Sequence, residues 1–375
     1  MNYLLSASLA FTVCLCLLPL AASLARKANL VDYPSNRKRH ALPTPVVGGV
    51  VIFISYPTVL QITPSIVHSG SMIAWLALVV LVGLLDDIFE LSCLSRIAAH
   101  AMIVVGIWFT DGLMVQNIGA IWGGSESVSF PLIAGLLFTA VAVIGAINAV
   151  NMIDGLDGLL GSLLFVSLFS LLIIDLSGSY PESSSHVFNA EQISVLLGAL
   201  LAFLLFNARI FERSVASVYL GDAGSTVLGF LLVYMMIDYS QTENALIGPV
   251  VAGWILGVPL LDASAVIFKR VIERKSPFKP GRDHLHHLIL GKGYSVNQTV
   301  LIMLTLHLSM IVFAVLLEQS EVVYADAVLF WVFLVLVGVR VLLTSNRALP
   351  VEGSGGVVEK QFRSKKNLGW LFEEE

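Results

Sequence analysis

The sequence predicts an all-α, polytopic integral membrane protein with about eleven transmembrane helices. Its 375 residues are 57% hydrophobic and only 13% charged, whereas a soluble domain carries about a quarter charged residues. Apolar runs long enough to cross about 30 Å of hydrocarbon recur along the chain. The 21 lysines and arginines all fall on one side of the alternation that these runs define. Together these three observations exclude a soluble enzyme.

The apolar runs are interpreted as helices, because they are too long and too uniformly apolar for barrel strands. Their approximate bounds are residues 3–24, 46–62, 71–86, 95–110, 130–148, 158–176, 192–208, 223–238, 246–268, 296–317 and 325–343. The first run lacks a preceding basic region, so it is read as a retained span and not as a signal peptide. We expect one transmembrane domain, residues 1–343, followed by a tail, residues 344–375.

The charge distribution predicts the orientation of the spans. Loops after odd-numbered runs hold the lysines and arginines, and the opposite loops hold none of them, although they carry acids. By the positive-inside rule the basic side is cytoplasmic, so the N-terminus is expected outside and the C-terminus inside. Arg340, near the end of the last run, is taken as one of these basic residues, and its replacement by alanine is expected to be nearly silent. The three cysteines give no metal or disulfide signal.

The stretch NAVNMIDGLDG, residues 148–158, places polar side chains between two apolar runs. Asn148, Asn151, Asp154 and Asp157 recur every third residue, and glycines then break a continuing helix. Carboxylates and carboxamides at a membrane edge are costly unless they bind something, and their oxygens suit Mg²⁺. The alternative is a helix cap with a polar turn, which needs only one such side chain.

An acidic pair ends the third apolar run. The sequence GLLDDIFELS sets Asp86 beside Asp87, with Glu90 one helical turn later. Packing gives no reason for two adjacent acids after an apolar run. The pair indicates Mg²⁺ binding, or a base that takes a proton from an attacking oxygen.

A further acid, Asp222, lies in GDAGS at the start of the eighth run, and flanking glycines permit a tight turn around it. Asn207, Arg209 and Tyr219 precede it in the same connecting segment. An intramembrane aspartyl protease of the GxGD type is excluded, because Tyr219 occupies the position where that signature requires glycine.

The longest loop on the basic side contains DHLHH, with Arg282, His284, His286 and His287. Beside several lysines, these side chains are predicted to donate to an anion such as a pyrophosphate. One alternative is a zinc site, but no cysteine is near and the spacing is not that of a zinc finger. The other alternative is an exposed basic loop.

A compact basic patch, RKRH at residues 37–40, lies in the first loop of the same side. It is read equally as a topology anchor and as a site for phosphate capture.

One membrane face therefore carries carboxylates, amides and cationic donors, which are the groups that phosphoryl transfer requires. Acids at the membrane edge point to a lipid phosphate as acceptor and a soluble nucleotide as donor. The sequence contains no Walker A, GxGxxG or GxSxG motif in a strand–helix context. A secondary transporter is the alternative from another class, but transporters tend to place polar residues near the midplane within repeats.

The series DDIFE, NAVNMIDGLDG, GDAGS and DHLHH, in this order, resembles the polyprenyl-phosphate N-acetylhexosamine-1-phosphate transferases. The resemblance implies Mg²⁺-dependent transfer of GlcNAc-1-phosphate from UDP-GlcNAc to undecaprenyl phosphate, with release of UMP and with Mn²⁺ as a candidate substitute. It also implies a bacterial inner membrane enzyme whose active site faces the cytoplasm and which initiates a cell-surface polysaccharide of the O-antigen or enterobacterial common antigen type. Membrane lipid and a second copy of the chain are expected partners, and nucleic acid is not. The same chemistry with another UDP-N-acetylhexosamine as donor is an alternative that the sequence leaves open.

The resemblance also assigns roles to residues. It implies that Asn151 and Asp222 bind Mg²⁺, that Asp86 and Asp87 engage the lipid phosphate, and that Asp157 and Tyr219 hold the uracil. Asp154 joins the catalytic set of Asp86, Asp87 and Asp157. The remaining substrate contacts are Asn148, Asn207, Arg209, Arg282, His284, His286 and His287. Two positions depart from the family pattern, because Glu90 replaces a common Asp and Tyr219 replaces a common Phe.

Overall fold

The computed structural model describes residues 2–33, 43–63, 70–89, 91–178, 186–210, 213, 215–242, 244–276, 281, 283–320 and 322–345. Within them the chain forms thirteen helices and one antiparallel ribbon of two strands, which confirms the all-α prediction. The helices are α1 (Asn2–Lys27), α2 (Gly48–Ile62), α3 (Gly70–Phe89), α4 (Cys93–Asp111), α5 (Leu132–Ile153), α6 (Leu159–Ser177), α7 (Ala190–Asn207), α8 (Gly221–Gln241), α9 (Pro249–Ile255), α10 (Gly257–Ile272), α11 (Leu285–Leu290), α12 (Val296–Gln319) and α13 (Ala325–Ser345). The ribbon pairs β1 (Val31–Asp32) with β2 (Thr44–Pro45).

The described helices confirm a multi-pass membrane protein. Nine of them are long and apolar enough to cross a membrane, or ten spans result if the bent pair α9–α10 counts as one. α2 coincides with the second predicted run, but its 15 residues make about 22 Å of helix against about 30 Å of hydrocarbon. The count of eleven spans and the orientation of the termini stay predictions.

α8 lies at the centre of the bundle, and its apolar length is buried inside the protein. Helices α2, α3 and α5 pack around it. Small residues allow the close approach: a Cβ on Gly49 of α2 would collide with the backbone of Gly224, and a Cβ on Gly83 of α3 would collide with the backbone of Ala223. Packing decides helix association in lipid, where little hydrophobic force acts between helices. The first turn of α8 is therefore held tightly between α2 and α3.

The chain bends by 88° between α9 and α10. Pro259 lacks the N–H that would reach the Ile255 carbonyl in a continuous helix. Ser167 of α6 donates to that carbonyl instead (2.7 Å), and the Ser167 hydroxyl lies 2.9 Å from Nε2 of His307 in α12. The Val258 N–H donates to Nδ1 of the same imidazole (3.4 Å). Side chains from two other helices thus satisfy backbone groups that the bend leaves free inside the membrane.

The predicted tail, residues 344–375, lies outside the described residues apart from Thr344 and Ser345, which end α13. The predicted domain boundary therefore stays a prediction.

Candidate active site

The stretch of residues 148–158 forms the end of α5 and the turn into α6. Asp154 caps α5, and its N–H donates to the Asn151 carbonyl (3.2 Å). Asn148 donates its side-chain amide to a carbonyl one turn back (2.7 Å). Gly158 adopts a left-handed conformation (φ +80°) immediately before α6. The polar residues therefore lie on the last turns of α5 and on a turn at the end of the bundle.

Asp87, near the end of α3, binds the first turn of α8. Its two carboxylate oxygens accept hydrogen bonds from the backbone N–H groups of Asp222 (2.9 Å) and Ala223 (3.1 Å). Gly221 precedes them with a φ of +81°, which glycine adopts at little cost. A helix start leaves such N–H groups unsatisfied and favours negative charge, so Asp87 caps α8 from a neighbouring helix. Asp222, the predicted metal ligand, is thereby fixed against α3.

Asp86 turns away from its neighbour and closes the connection between α3 and α4. Its buried carboxylate accepts from the Leu91 N–H (2.9 Å) and pairs with the Arg96 guanidinium (2.8 Å). The adjacent acids therefore have separate partners. The contact of Asp86 and Asp87 with a lipid phosphate stays a prediction.

Asp157 and Asn207 tie the turn after α5 to the segment before α8. Oδ2 of Asp157 accepts from Nε of Arg209 (2.8 Å) and from a backbone N–H of that segment (3.1 Å). Asn207 accepts from the Gly158 N–H (2.9 Å) and donates to a carbonyl of the same segment (3.0 Å). Within the described part of the chain, Oδ1 of Asp157 makes no hydrogen bond. This oxygen is the one that a ligand could use.

Tyr219 connects the first loop to the start of α8. Its N–H donates to the Pro45 carbonyl (2.8 Å), and its own carbonyl accepts from the Gly48 N–H (2.9 Å). Burial raises the pKa of the Tyr219 phenol to about 12, and the nearby charge of Asp157 adds to the effect. The phenol is therefore neutral at pH 7, and its ring lies in the same part of the site as Asp157.

Asp154, Asp157 and Asp222 lie close enough at this end of the bundle for their charges to interact. Asp154 is an exposed residue, and the protein around it still desolvates its carboxyl group. This desolvation, with repulsion from Asp222 and Asp157, raises the pKa of Asp154 to about 7. A cation held among these oxygens would relieve the repulsion.

The donor set of the site fits Mg²⁺ by its chemistry. Asn151, Asp154 and Asp222 supply the carboxamide and carboxyl oxygens that hard cations prefer. Among the described residues, no three His, Cys, Asp or Glu side chains converge closely enough to hold an ion by themselves. Mg²⁺ is usually held by one or two carboxylates, waters and substrate phosphates, so the set is compatible with an ion that binds together with a nucleotide. The metal stays a prediction.

The DHLHH segment meets the turn of residues 148–158. A Cβ on Gly155 would collide with the His286 ring, so this imidazole packs against the turn. His286 is 1% exposed, and its ring nitrogens have no hydrogen-bond partner in the part of the chain that the structure describes. Burial, with the neighbouring His287, lowers the pKa of His286 to about 3. His286 is therefore neutral at pH 7 and can donate through one ring nitrogen only.

His284 is hydrogen-bonded to Asp262, which pairs with Arg340, and the sequence assigns neither Asp262 nor Arg340 to the site. Its Nδ1 lies 2.9 Å from Oδ2 of Asp262, which also pairs with Arg340 (2.9 Å). The signal was present, because both charges interrupt apolar runs and intramembrane charges are rare without a function. Arg282, Glu90 and the patch of residues 37–40 lie outside the described residues.

The structure therefore brings the motifs of α3, α5, α8 and α11 to one end of a membrane bundle, as expected for a polytopic enzyme. The sequence profile of "Glycosyl transferase family 4" matches residues 69–240. Relatives named undecaprenyl-phosphate alpha-N-acetylglucosaminyl 1-phosphate transferase are 32% identical in Escherichia coli (strain K12), over 84% of this chain and 83% of theirs. The corresponding protein of Haemophilus influenzae is 33% identical, over 74% of this chain and 77% of its own.

These matches define a class of membrane-embedded transferases. The chain belongs to glycosyl transferase family 4, and it is an enzyme of that class.

Proposed function

We propose that the protein transfers GlcNAc-1-phosphate from UDP-GlcNAc to undecaprenyl phosphate, and releases UMP. An oxygen of the lipid phosphate attacks the sugar-linked phosphorus. The bond from that phosphorus to the bridging oxygen breaks, and its electron pair leaves with UMP. The convergence of the four motifs at one end of the bundle carries the proposal, and the names of the relatives supply the two substrates. The site would face the cytoplasm of a bacterial inner membrane.

The uridine would bind between the turn after α5 and the segment before α8. Asp157 has one oxygen committed to Arg209 and leaves Oδ1 for the uracil N–H. The neutral ring of Tyr219 lies in the same region and can stack on the base. Arg209 would thus orient Asp157 and need not touch the base itself.

The diphosphate would lie between the starts of α8 and α11. Asn151 and Asp222 would hold Mg²⁺, which when bound would neutralise charge on the phosphate oxygens. In the described part of the chain the buried ring nitrogens of His286 have no hydrogen-bond partner, which favours a contact with the substrate. His284 and His287 neighbour His286 in space and would extend the contact to the sugar-linked phosphate.

The acceptor would enter from the lipid side of α3. Ile88 and Phe89 expose their apolar side chains beside the Asp86–Arg96 pair. A phosphate monoester is mostly dianionic at pH 7, since its second pKa is about 6. The acidic pair would therefore position the acceptor and would not need to deprotonate it.

UMP release tests the proposal most directly. Purified protein in detergent would be given undecaprenyl phosphate, Mg²⁺ and each of a panel of UDP-sugars. We expect UMP only with UDP-GlcNAc, only in the presence of the lipid, and not after EDTA treatment. Release with another UDP-N-acetylhexosamine would change the donor and keep the chemistry. Absence of release with every donor, together with substrate uptake into vesicles, would replace the enzyme by a transporter.

A further inference from the structure

Asp262 is a buried acid within α10, and it is 1% exposed. Its carboxylate accepts hydrogen bonds from Nδ1 of His284, from the Leu285 N–H and from Nη2 of Arg340, each at 2.9 Å. The Leu285 N–H belongs to the first residue of α11. Asp262 therefore binds both a side chain and a backbone group of the DHLHH segment.

Arg340 reaches the same segment from α13. Its Nη2 also donates to the Asp283 carbonyl (2.7 Å), and its side chain is buried. Residues 283–285 are thus hydrogen-bonded to Asp262 of α10 and to Arg340 of α13. Neither partner comes from the four sequence motifs.

The other charged side chains near Asp262 have partners of their own. The Asp283 side chain lies 3.7 Å from Lys269 and 3.5 Å from Arg270, so it is neutralised separately. His286 stacks on His284 with their ring centroids 5.8 Å apart, and in the described part of the chain its ring nitrogens have no hydrogen-bond partner. Arg340 and His284 are the cationic or proton-donating side chains that bind Asp262.

Stability alone gives a poor reason for this arrangement. Removing two charges from water is costly in free energy, and a protein with well-packed apolar residues in their place is often equally stable. Charges within membrane spans usually serve a function. The Nε2 atom of His284 makes no hydrogen bond among the described residues, and the residue keeps 7% exposure.

We propose that Asp262 and Arg340 are positioning residues that hold His284 with its Nδ1–H donated to Asp262, so that Nε2 faces the diphosphate of the sugar nucleotide. The inference rests on the proposed function. A carboxylate on Nδ1 fixes which ring nitrogen carries the proton and the plane of the ring. Arg340 in turn keeps the carboxylate ionised and aligned. Neither residue touches the substrate.

A double-mutant cycle on UMP release tests this arrangement. We expect Asp262→Asn to lower kcat roughly 10- to 100-fold, with an unchanged KM for undecaprenyl phosphate. In a His284→Ala background, the same change should lower kcat by less than about twofold, because the positioned group is already gone. Arg340→Lys should retain more activity than Arg340→Met, since lysine keeps the charge on Asp262.

Asp238→Asn is the matched control. Asp238 is equally buried, lies 3.7 Å from a histidine, and accepts two backbone hydrogen bonds about 24 Å further along α8 from Asp222. We expect its kcat per folded molecule to match the wild type, with folding judged by a monodisperse elution profile and by Tm. If Asp262→Asn does not fold, the two Arg340 variants in the presence and absence of His284 complete the same cycle.

The outcomes separate the two proposals. An active wild-type protein in which the losses of Asp262→Asn and His284→Ala multiply would overturn the positioning role alone. A wild-type protein that releases no UMP would overturn the proposed function, and the positioning role with it.

Discussion

Asp222 stands in the first turn of α8, where Asp87 holds its N–H and its charge helps to raise the pKa of Asp154. Asn151 lies one turn before the cap of α5. Asn151 and Asp222 belong to two different helices, so the predicted oxygen donors for a cation come from separate elements. A single substitution would therefore remove one predicted ligand and leave both helices intact.

We expect Asp222→Asn to abolish UMP release while the protein still folds. The amide keeps the shape of the side chain and removes the charge that would hold Mg²⁺. Tm and elution in detergent would check the fold, and Asp111→Asn, at the end of α4, would serve as a control that keeps activity. A wild-type rate in Asp222→Asn would remove this residue from the metal site.

Asp87→Asn separates two roles for the acidic pair. If Asp87 acts by capping α8, loss of one acceptor should misplace Asp222, and the Mg²⁺ concentration for half-maximal activity should rise about tenfold. A Mg²⁺ titration of UMP release measures this value. An unchanged Mg²⁺ requirement with a raised KM for undecaprenyl phosphate would instead support the lipid-phosphate contact that the sequence predicts.

Individual residues show how far sequence reasoning reaches. Asp86, Asp87, Asp157 and Asp222 could be found because acids beside apolar runs are costly. Their partners could not, because the capping of α8 by Asp87 depends on a contact between residues 135 positions apart. The sequence predicts that Arg340 is a topology residue whose loss is nearly silent. Its burial against Asp262 gives reason to expect a loss of activity instead.

At the scale of elements, the bend between α9 and α10 depends on side chains from α6 and α12. His307 receives the Val258 N–H at Nδ1, so its Nε2–H donates to the Ser167 hydroxyl, which donates to the Ile255 carbonyl. The chain of bonds connects the N–H and C=O groups that the bend separates. The imidazole acts here as a neutral connector within the membrane.

Ser167→Ala should destabilise the bundle, because it removes the donor to the Ile255 carbonyl and the hydroxyl beside His307 Nε2, at a cost of about 1–3 kcal/mol. We expect a Tm several degrees below that of the wild type in detergent. Ser170→Ala is the matched control. Among the described residues the Ser170 hydroxyl bonds to a carbonyl of its own helix alone, so this change should leave Tm nearly unchanged. Equal Tm values for the two variants would contradict this account of the bend.

The positions of the helices could be predicted from apolar runs, and the described helices agree with them. The bend could not be read from hydropathy, because the ninth run is apolar on both sides of the break. Its local signal was Pro259, whose effect on one carbonyl depends on whether another helix supplies a donor. The two helices meet at 88°, an angle that composition does not predict.

At the scale of the whole molecule, the basic loops and the candidate active site lie on the same side of the predicted membrane. Arg96 and Arg209 pair with acids of the motifs, and they belong to the loops that the positive-inside rule assigns to the cytoplasm. UDP-sugars are soluble nucleotides, so the proposed reaction requires the same side. Orientation is thus a test of function as well as of fold.

Single cysteines at the two ends would measure the orientation. In a background with Cys14, Cys16 and Cys93 replaced by serine, we expect Glu126→Cys to react with a membrane-impermeant maleimide in spheroplasts. Lys292→Cys should react only after permeabilisation. Both positions are exposed, so access to reagent is limited by the membrane alone. The reverse pattern would invert the predicted topology and place the site outside.

The pairing of Asp262 with Arg340 also bears on how the chain is made. The two residues lie 78 positions apart, so at about 5–20 residues per second the acid waits on the order of 4–16 s for its cation during synthesis. Over that interval α10 carries a charge without its partner, and His284 is made before the guanidinium that completes its support. The last described helix therefore completes the site, and chains that stop before α13 would enter the membrane with their other motifs present but with this part of the site unassembled.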